Sequence, residues 1–140
     1  MKNSLIDNYG REIKYLRLSV TDRCNLRCIY CMPKEGIKLL GKDEILSFSE
    51  IVRIVRLFAE LNIKKIRLTG GEPLIREDID NLVESLIAST PDIDYGITTN
   101  GTLLDRHYKK FADFGLNKIN ISLDTLDAKK YSLLTRNNLY

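Results

Sequence analysis

The chain has 140 residues, of which 44% are hydrophobic and 29% charged, and a formal net charge of +3 at neutral pH. That length fits one domain with a core of ordinary size, and so small a charge gives no ground for nucleic acid as a partner. The paired lysines Lys64-Lys65, Lys109-Lys110 and Lys129-Lys130 are scattered and read as solvated helix ends and loops. The N-terminus leads into no apolar run of signal-peptide length, and no segment approaches a membrane span. The expectation is a cytoplasmic protein with no membrane partner.

Residues 1–14 are weakly patterned and suggest an arm with a turn at Asn8-Tyr9-Gly10. Residues 15–20 read as a first strand, followed by a loop that holds all three cysteines, Cys24, Cys28 and Cys31. Residues 34–46 are polar and contain two glycines, as an irregular connection does. Ser47 with Glu50 three residues on forms a capping box, and Ile51, Val52, Val55 and Phe58 then make one helical face, which Asn62 stops. Residues 66–69 form a second strand, ended by Gly70-Gly71-Glu72-Pro73. Ile79, Leu82, Val83, Leu86 and Ile87 recur at helical spacing. Residues 94–98 make a third strand with a turn at Asn100-Gly101. A third helix over 104–114 is closed by Gly115. Residues 118–123 make a fourth strand, and Asp127 caps a last helix.

Strands alternating with helices predict parallel βαβ units, here about four of them. The expected fold is α/β, a partial (β/α) barrel. Right-handed crossovers would place every strand end that precedes a helix on one rim, where such barrels carry their active sites. Polar and glycine-rich residues gather at those ends. In the strands, Ile66, Leu68, Tyr95, Ile97, Ile119, Ile121 and Leu123 share the parity expected to face the helices. The inward parity carries Arg17, Ser19, Arg67, Thr69, Gly96, Thr98, Asn120 and Ser122, which a dry barrel would fill with aliphatic residues. A wide, wet interior follows. Arg17 and Arg67 would be costly to bury there without an anion; the alternative is that both meet solvent at a strand edge. His107, the one histidine, lies in a charged stretch with no visible partner and reads as a surface residue.

Cysteines separated by three and then two intervening residues are not the two close pairs of a structural zinc site. In a reducing compartment they read as metal ligands rather than as a disulfide with one thiol left over. Three thiolates on three irons of a cluster would leave one iron open for chemistry. Zinc with a borrowed fourth ligand is the competing reading.

The run Cys24-xxx-Cys28-x-Tyr30-Cys31 resembles the signature of radical S-adenosylmethionine (SAM) enzymes. Residues 16–25 with Met32-Pro33, then Thr69-Gly70-Gly71-Glu72-Pro73-Leu74, Thr99-Asn100-Gly101 and Ile121-Ser122-Leu123-Asp124, resemble one family among them, the GTP 3′,8-cyclases of molybdenum cofactor biosynthesis. The likeness runs from about Ile6 to Arg136. It implies a TIM-like barrel of the radical SAM type and a [4Fe-4S] cluster on Cys24, Cys28 and Cys31, with SAM at the open iron. An electron from the cluster would split SAM into methionine and a 5′-deoxyadenosyl radical. Tyr30, Gly71 and Ser122 match SAM-contacting positions; a packed aromatic anchoring the loop is the other reading of Tyr30, and a plain strand-to-helix turn that of the glycines. Arg17, Arg67 and Thr98 match positions that bind GTP. The implied reaction takes hydrogen from ribose C3′ of GTP and joins that carbon to guanine C8, giving (8S)-3′,8-cyclo-7,8-dihydroguanosine 5′-triphosphate. The implied partners are GTP, SAM and a cellular reductant, with a homodimer as a candidate assembly.

The family's chains are more than twice as long, with further barrel strands and a second [4Fe-4S] cluster that this sequence does not encode. Residues 1–140 are therefore expected to be the N-terminal part of the radical SAM core domain. The piece is expected to be inactive alone and, with strand four an open edge, prone to self-association. Another radical SAM enzyme, such as one acting on a peptide, and a non-catalytic metal-binding fragment are the competing functions.

Overall fold

The computed structural model of the chain describes residues 4–116 and 118–137; the first residues of the expected N-terminal arm, Met1 to Asn3, lie outside them. Four parallel strands, β1 (Tyr15–Ser19), β2 (Lys65–Thr69), β3 (Asp94–Thr99) and β4 (Lys118–Ile121), pair in sequence order. The helices α1 (Phe48–Glu60), α2 (Ile79–Ser89) and α3 (Leu104–Asp113) connect them, and α4 (Ala128–Thr135) follows β4. The sheet is open, with β1 and β4 at its edges, as a partial barrel is. Among the described residues no helix is long and apolar enough to cross a membrane.

Local chemistry sets the boundaries. Ser47 caps α1 through its side chain, which accepts from the Glu50 N–H, and the Glu50 carboxylate returns to the Ser47 N–H at 2.7 Å. This reciprocal arrangement satisfies amides that a helix start leaves unpaired. The helix stops at the left-handed Asn62 (φ 66°). Asp127 caps α4 by accepting from the N–H groups of Lys129 and Lys130.

One sheet face is covered by α1, α2 and α3. Ile66, Leu68, Tyr95 and Ile97 from the strands meet Ile51 and Val55 of α1, Ile79, Leu82, Val83 and Leu86 of α2, and Phe111 of α3 in one buried cluster. The helical periodicities at 51–58 and 79–87 therefore mark the faces that are buried. β4 departs from expectation. Ile119 packs against the core, but Ile121 is 54% and Leu123 49% exposed. The strand ends at Ile121, and α4 does not lie over it. The end of α4 instead turns to the cysteine loop, where Arg27 N–H donates to Thr135 O at 3.0 Å and Ile29 N–H to Leu134 O at 2.9 Å.

His107 also differs from its reading as a surface residue without a partner. Its side chain is 16% exposed, lies 2.6 Å through Nδ1 from Asp80 Oδ1, and stacks on Phe111 with ring centroids 5.7 Å apart. Asp80 is on the first turn of α2, 27 residues away in sequence, so only the packing of α2 against α3 creates the pair. Lys110 Nζ donates to the other Asp80 oxygen at 2.8 Å.

Burial favours the neutral Asp80 carboxyl, but the hydrogen bonds and charges of Lys110 and His107 outweigh it and hold the group below its ordinary value of 3.8. A depressed carboxyl contributes stability above the unfolded value, and that contribution is lost as pH falls through the folded one. The variant Asp80→Asn is expected to melt at a lower temperature than the wild type at neutral pH. The gap should narrow as pH falls below about 3.8. Melting curves of both proteins across that range check it.

Candidate functional site

The cysteine loop leaves β1 as an extension of the β1–β2 ladder. Val20 N–H donates to Thr69 O at 2.9 Å, Gly71 N–H to Thr21 O at 2.8 Å, and Glu72 N–H to Arg23 O at 2.7 Å. The loops after both strands are thus zipped together up to the residue before Cys24. Glycine is what permits it. A side-chain carbon on Gly70 would strike the Thr21 carbonyl oxygen, and one on Gly71 the Arg23 carbonyl oxygen. The sequence explained this glycine pair by close approach to a ligand; the approach seen is to the backbone of the cysteine loop itself.

Glu72 follows directly and is 1% exposed. Its Oε1 accepts from Leu74 N–H at 3.0 Å and from Thr99 Oγ1 at 2.7 Å, while Oε2 accepts from Asn100 N–H at 2.7 Å. It clamps the end of β3 to the end of β2. Sequence reasoning gave this carboxylate no role. The available signal was a charged residue between a strand and the buried Pro73-Leu74 pair, where a carboxylate needs donors.

Within the loop, Cys31 N–H and Met32 N–H both donate to Cys28 O, at 2.9 and 3.0 Å. Cys24 and Cys28 are half-buried and Cys31 is exposed. Burial raises the Cys24 thiol above its ordinary value. The Leu26 N–H, 3.4 Å from Sγ, opposes that, and the nearby Glu72 carboxylate adds to it. Cys24 is a neutral thiol at pH 7, so taking up a metal centre releases its proton. Among the described residues, no three His, Cys, Asp or Glu side chains gather as a single metal ion requires. A cluster makes a different demand, since its three ligands sit on three separate irons. The all-sulfur donor set, with an N–H aimed at one sulfur, fits such a group.

Tyr30 is 64% exposed, so packing does not anchor it. Its hydroxyl donates to Asp124 Oδ2 at 2.6 Å, beyond the end of β4. That hydrogen bond is the main reason its hydroxyl is raised well above the ordinary value, with burial and Cys28 adding to it. Arg136, after α4, donates from Nη1 to Met32 O at 2.9 Å. Ser122 N–H donates to Thr99 O at 2.8 Å, which places Ser122 just past β4. Tyr30, Gly71 and Ser122 therefore sit in the segments after β1, β2 and β4, on one rim, as the βαβ argument expects.

The sheet face away from the helices carries a polar row. Arg17 pairs in register with Arg67, Arg67 with Gly96, and Gly96 with Lys118. Gly96 leaves room for Arg67 to lie across β3: a side-chain carbon there would sit 3.3 Å from the Arg67 guanidinium carbon and 3.1 Å from Lys118 O. Arg67 Nη1 thereby donates to Asn120 Oδ1 at 2.6 Å, and Asn120 pairs in register with Thr98. The burial cost expected for the arginines does not arise in this chain, because Arg17 is exposed and Arg67 only half-buried on an open face. Solvent at an edge describes Arg17, on the edge strand β1; Arg67 stands on an interior strand.

The family model for the radical SAM superfamily matches residues 18–140. A molybdenum cofactor biosynthesis protein, moc-5, of Caenorhabditis elegans is 54% identical over 131 residues, covering 93% of this chain and 22% of that protein. A GTP 3′,8-cyclase of Thermodesulfovibrio yellowstonii is 52% identical over 93% of this chain and 41% of its own length. One of Staphylococcus saprophyticus is 48% identical over 99% and 42%. The chain thus spans less than half the length of these relatives. Among solved structures, Streptococcus suis SuiB bound to S-adenosylmethionine superposes with a TM-score of 0.66 at 26% identity, covering 89% of this chain and 26% of SuiB.

The Glu72 clamp is open to test. Each buried donor left unpaired costs about 1–3 kcal/mol, and Glu72→Ala strands Leu74 N–H, Thr99 Oγ1 and Asn100 N–H together. The variant is expected to lose at least about 2 kcal/mol in urea unfolding. A midpoint equal to that of the wild type would show that the clamp contributes nothing.

Proposed function

The chain belongs to the radical SAM superfamily, and on that premise we propose that it carries the N-terminal part of the core domain of a GTP 3′,8-cyclase of molybdenum cofactor biosynthesis. One observation carries the reading: identity of 48 to 54% over nearly the whole chain to relatives of that name and pathway. The open sheet supports it, because the polar face with Arg17 and Arg67 is left without a cover that further barrel strands would supply.

In this reading Cys24, Cys28 and Cys31 would hold a [4Fe-4S] cluster, with SAM bound at the iron they leave open. When bound, the cluster supplies the electron that splits SAM into methionine and a 5′-deoxyadenosyl radical. The chain's own part is to position and to shield. Tyr30, Gly71 and Ser122 bound SAM from the segments after three strands. Tyr30 is held by Asp124, so its ring stays in place at the rim without being buried. Arg17 and Arg67, adjacent across β1 and β2, offer guanidinium forks to the phosphates of GTP. Among the described residues Asn120 is the only hydrogen-bond partner of the Arg67 side chain, which leaves the other guanidinium donors for a ligand. Thr98, on the next strand, presents a hydroxyl on the same face. In the proposed reaction the C3′ hydrogen of GTP would pass to the deoxyadenosyl radical, C3′ would bond to guanine C8, and one electron from the reductant with one proton would complete the dihydro product. A cellular reductant, a cytoplasmic setting and a homodimer complete the proposal. The second cluster has no ligands here, since all three cysteines of the chain lie in one loop.

A peptide substrate is the second reading, favoured by the likeness to SuiB bound to its precursor peptide, with a TM-score of 0.64 at 26% identity. The higher identity of the cyclases weighs against it. Anaerobic turnover by the full-length protein separates the two, with GTP expected to yield a cyclised nucleotide and 5′-deoxyadenosine. Deoxyadenosine formation that depends on a peptide and not on GTP would overturn the proposal. Arg67→Ala is expected to weaken GTP binding about 10- to 100-fold, the worth of one charge-assisted hydrogen bond, with iron and sulfide content unchanged. Calorimetric titration of GTP checks it, and wild-type affinity would remove Arg67 from the site.

A further inference from the structure

The Thr99-Asn100-Gly101 turn after β3 has been given no task by the chemistry above, yet it is joined to the cysteine loop by side chains alone. Asn100 Nδ2 donates to Asn25 Oδ1 at 2.9 Å. Asn25 Nδ2 donates to Thr102 Oγ1 at 2.8 Å. Thr102 Oγ1 donates in turn to Asn100 Oδ1 at 2.7 Å, and Thr102 N–H donates to the same oxygen at 3.0 Å. The ring of three is closed, and its direction is fixed. A backbone N–H can only donate, so the Asn100 atom facing Thr102 must be its oxygen. Asn100 therefore presents its amide nitrogen to Asn25, and Asn25 must answer with its oxygen. The hydroxyl of Thr102 accepts once and donates once, which uses its single proton.

The ring is anchored at both ends. Below it, the buried Glu72 carboxylate holds Asn100 N–H and Thr99 Oγ1. Above it, Asn25 is the residue next to Cys24, and its carbonyl accepts from Asn137 Nδ2 at 3.0 Å. Asn25 and Asn100 are 75 residues apart in sequence, and Asn25 and Thr102 are 77. Within the loop, the turn at Cys28 to Met32 ties Cys28 and Cys31 together locally. Cys24 lies outside that turn. What fixes it relative to the strand ends is the Arg23 carbonyl on one side and the Asn25 amide on the other.

We propose that the Asn25–Asn100–Thr102 ring is a positioning device for Cys24: it sets where that thiolate stands relative to the other two ligands of the cluster. The three residues are not themselves ligands in this reading. They act through Cys24, as groups behind a metal ligand act by fixing its orientation. The inference rests on the family's cluster being bound by this loop and not on the identity of the substrate.

Thr102→Val keeps the shape of threonine and removes both hydrogen bonds of the hydroxyl, whereas Thr102→Ser keeps the hydroxyl. In anaerobically reconstituted holoprotein, Thr102→Val and Asn100→Ala are each expected to lose cluster iron to a chelator about 10-fold faster than the wild type, the lower end of the range for residues behind a metal ligand. The EPR signal of the reduced cluster should shift in both. Thr102→Ser should restore the wild-type rate and signal. The double variant Asn25→Ala/Asn100→Ala should be no worse than Asn25→Ala alone, because one ring is broken either way. Wild-type release and an unchanged signal in Thr102→Val and Asn100→Ala would overturn the inference. So would losses that add in the double variant, or a Thr102→Ser protein as impaired as Thr102→Val. A wild-type protein that takes up no iron and sulfide would instead remove the cluster itself, which separates that failure from failure of the ring.

Discussion

The parallel pairing of β1 with β2 does not stop where the strands stop. Three backbone hydrogen bonds continue it, from Val20, Gly71 and Glu72 to Thr69, Thr21 and Arg23. Two chains can stay this close past a strand end only if one of them has no side chains in the way, which is the physical content of Gly70 and Gly71. The cysteine loop therefore starts from a rigid base. Its first cysteine follows the last zipped residue directly, so the position of Cys24 inherits the precision of the sheet.

From that base the loop is held outward by contacts to every other strand end. Glu72 draws in the end of β3, Asn100 and Thr102 hold Asn25, and Asp124 beyond β4 holds the Tyr30 hydroxyl. None of these is an apolar contact. The helices bury the far side of the sheet, and beside the buried Leu26 the rim is held by hydrogen bonds from polar side chains, whose geometry is stricter than that of packing. The cysteine loop, which has no strand or helix of its own, gains one conformation in this way.

The open sheet face follows the opposite rule. Its charges are spaced by register: Arg17, Arg67 and Lys118 fall on one line because parallel strands repeat their pairing across the sheet, and Lys118 is ion-paired with Asp94. Gly96 is the exception that makes the line useful. Its missing side chain lets Arg67 cross to Asn120 and lie along the face. A residue with no side chain thus decides the direction of a cation on a neighbouring strand.

Much of this was legible in the order of residues. Period-two and period-3.6 patterns place four strands and their helices, the capping box at Ser47 and Glu50 starts α1, and the cysteine spacing points to a cluster. These signals are local: each needs only a few neighbours along the chain, and local propensity and pattern agree throughout. The errors share one cause. His107 lacked a partner, Ile121 and Leu123 were expected under helices, and the contact of the glycine pair with the cysteine-loop backbone went unread. In each case the deciding neighbour lies far away in sequence: Asp80 for the histidine, the turn of α4 toward the cysteine loop for the two exposed side chains, and the carbonyls of Thr21 and Arg23 for the glycines. The sequence alone determined which chemistry the loop can carry, because thiolates in that spacing have few uses. Only the tertiary structure decided how the loop is held, because hydrogen bonds between residues some 75 positions apart leave no periodic trace in the chain.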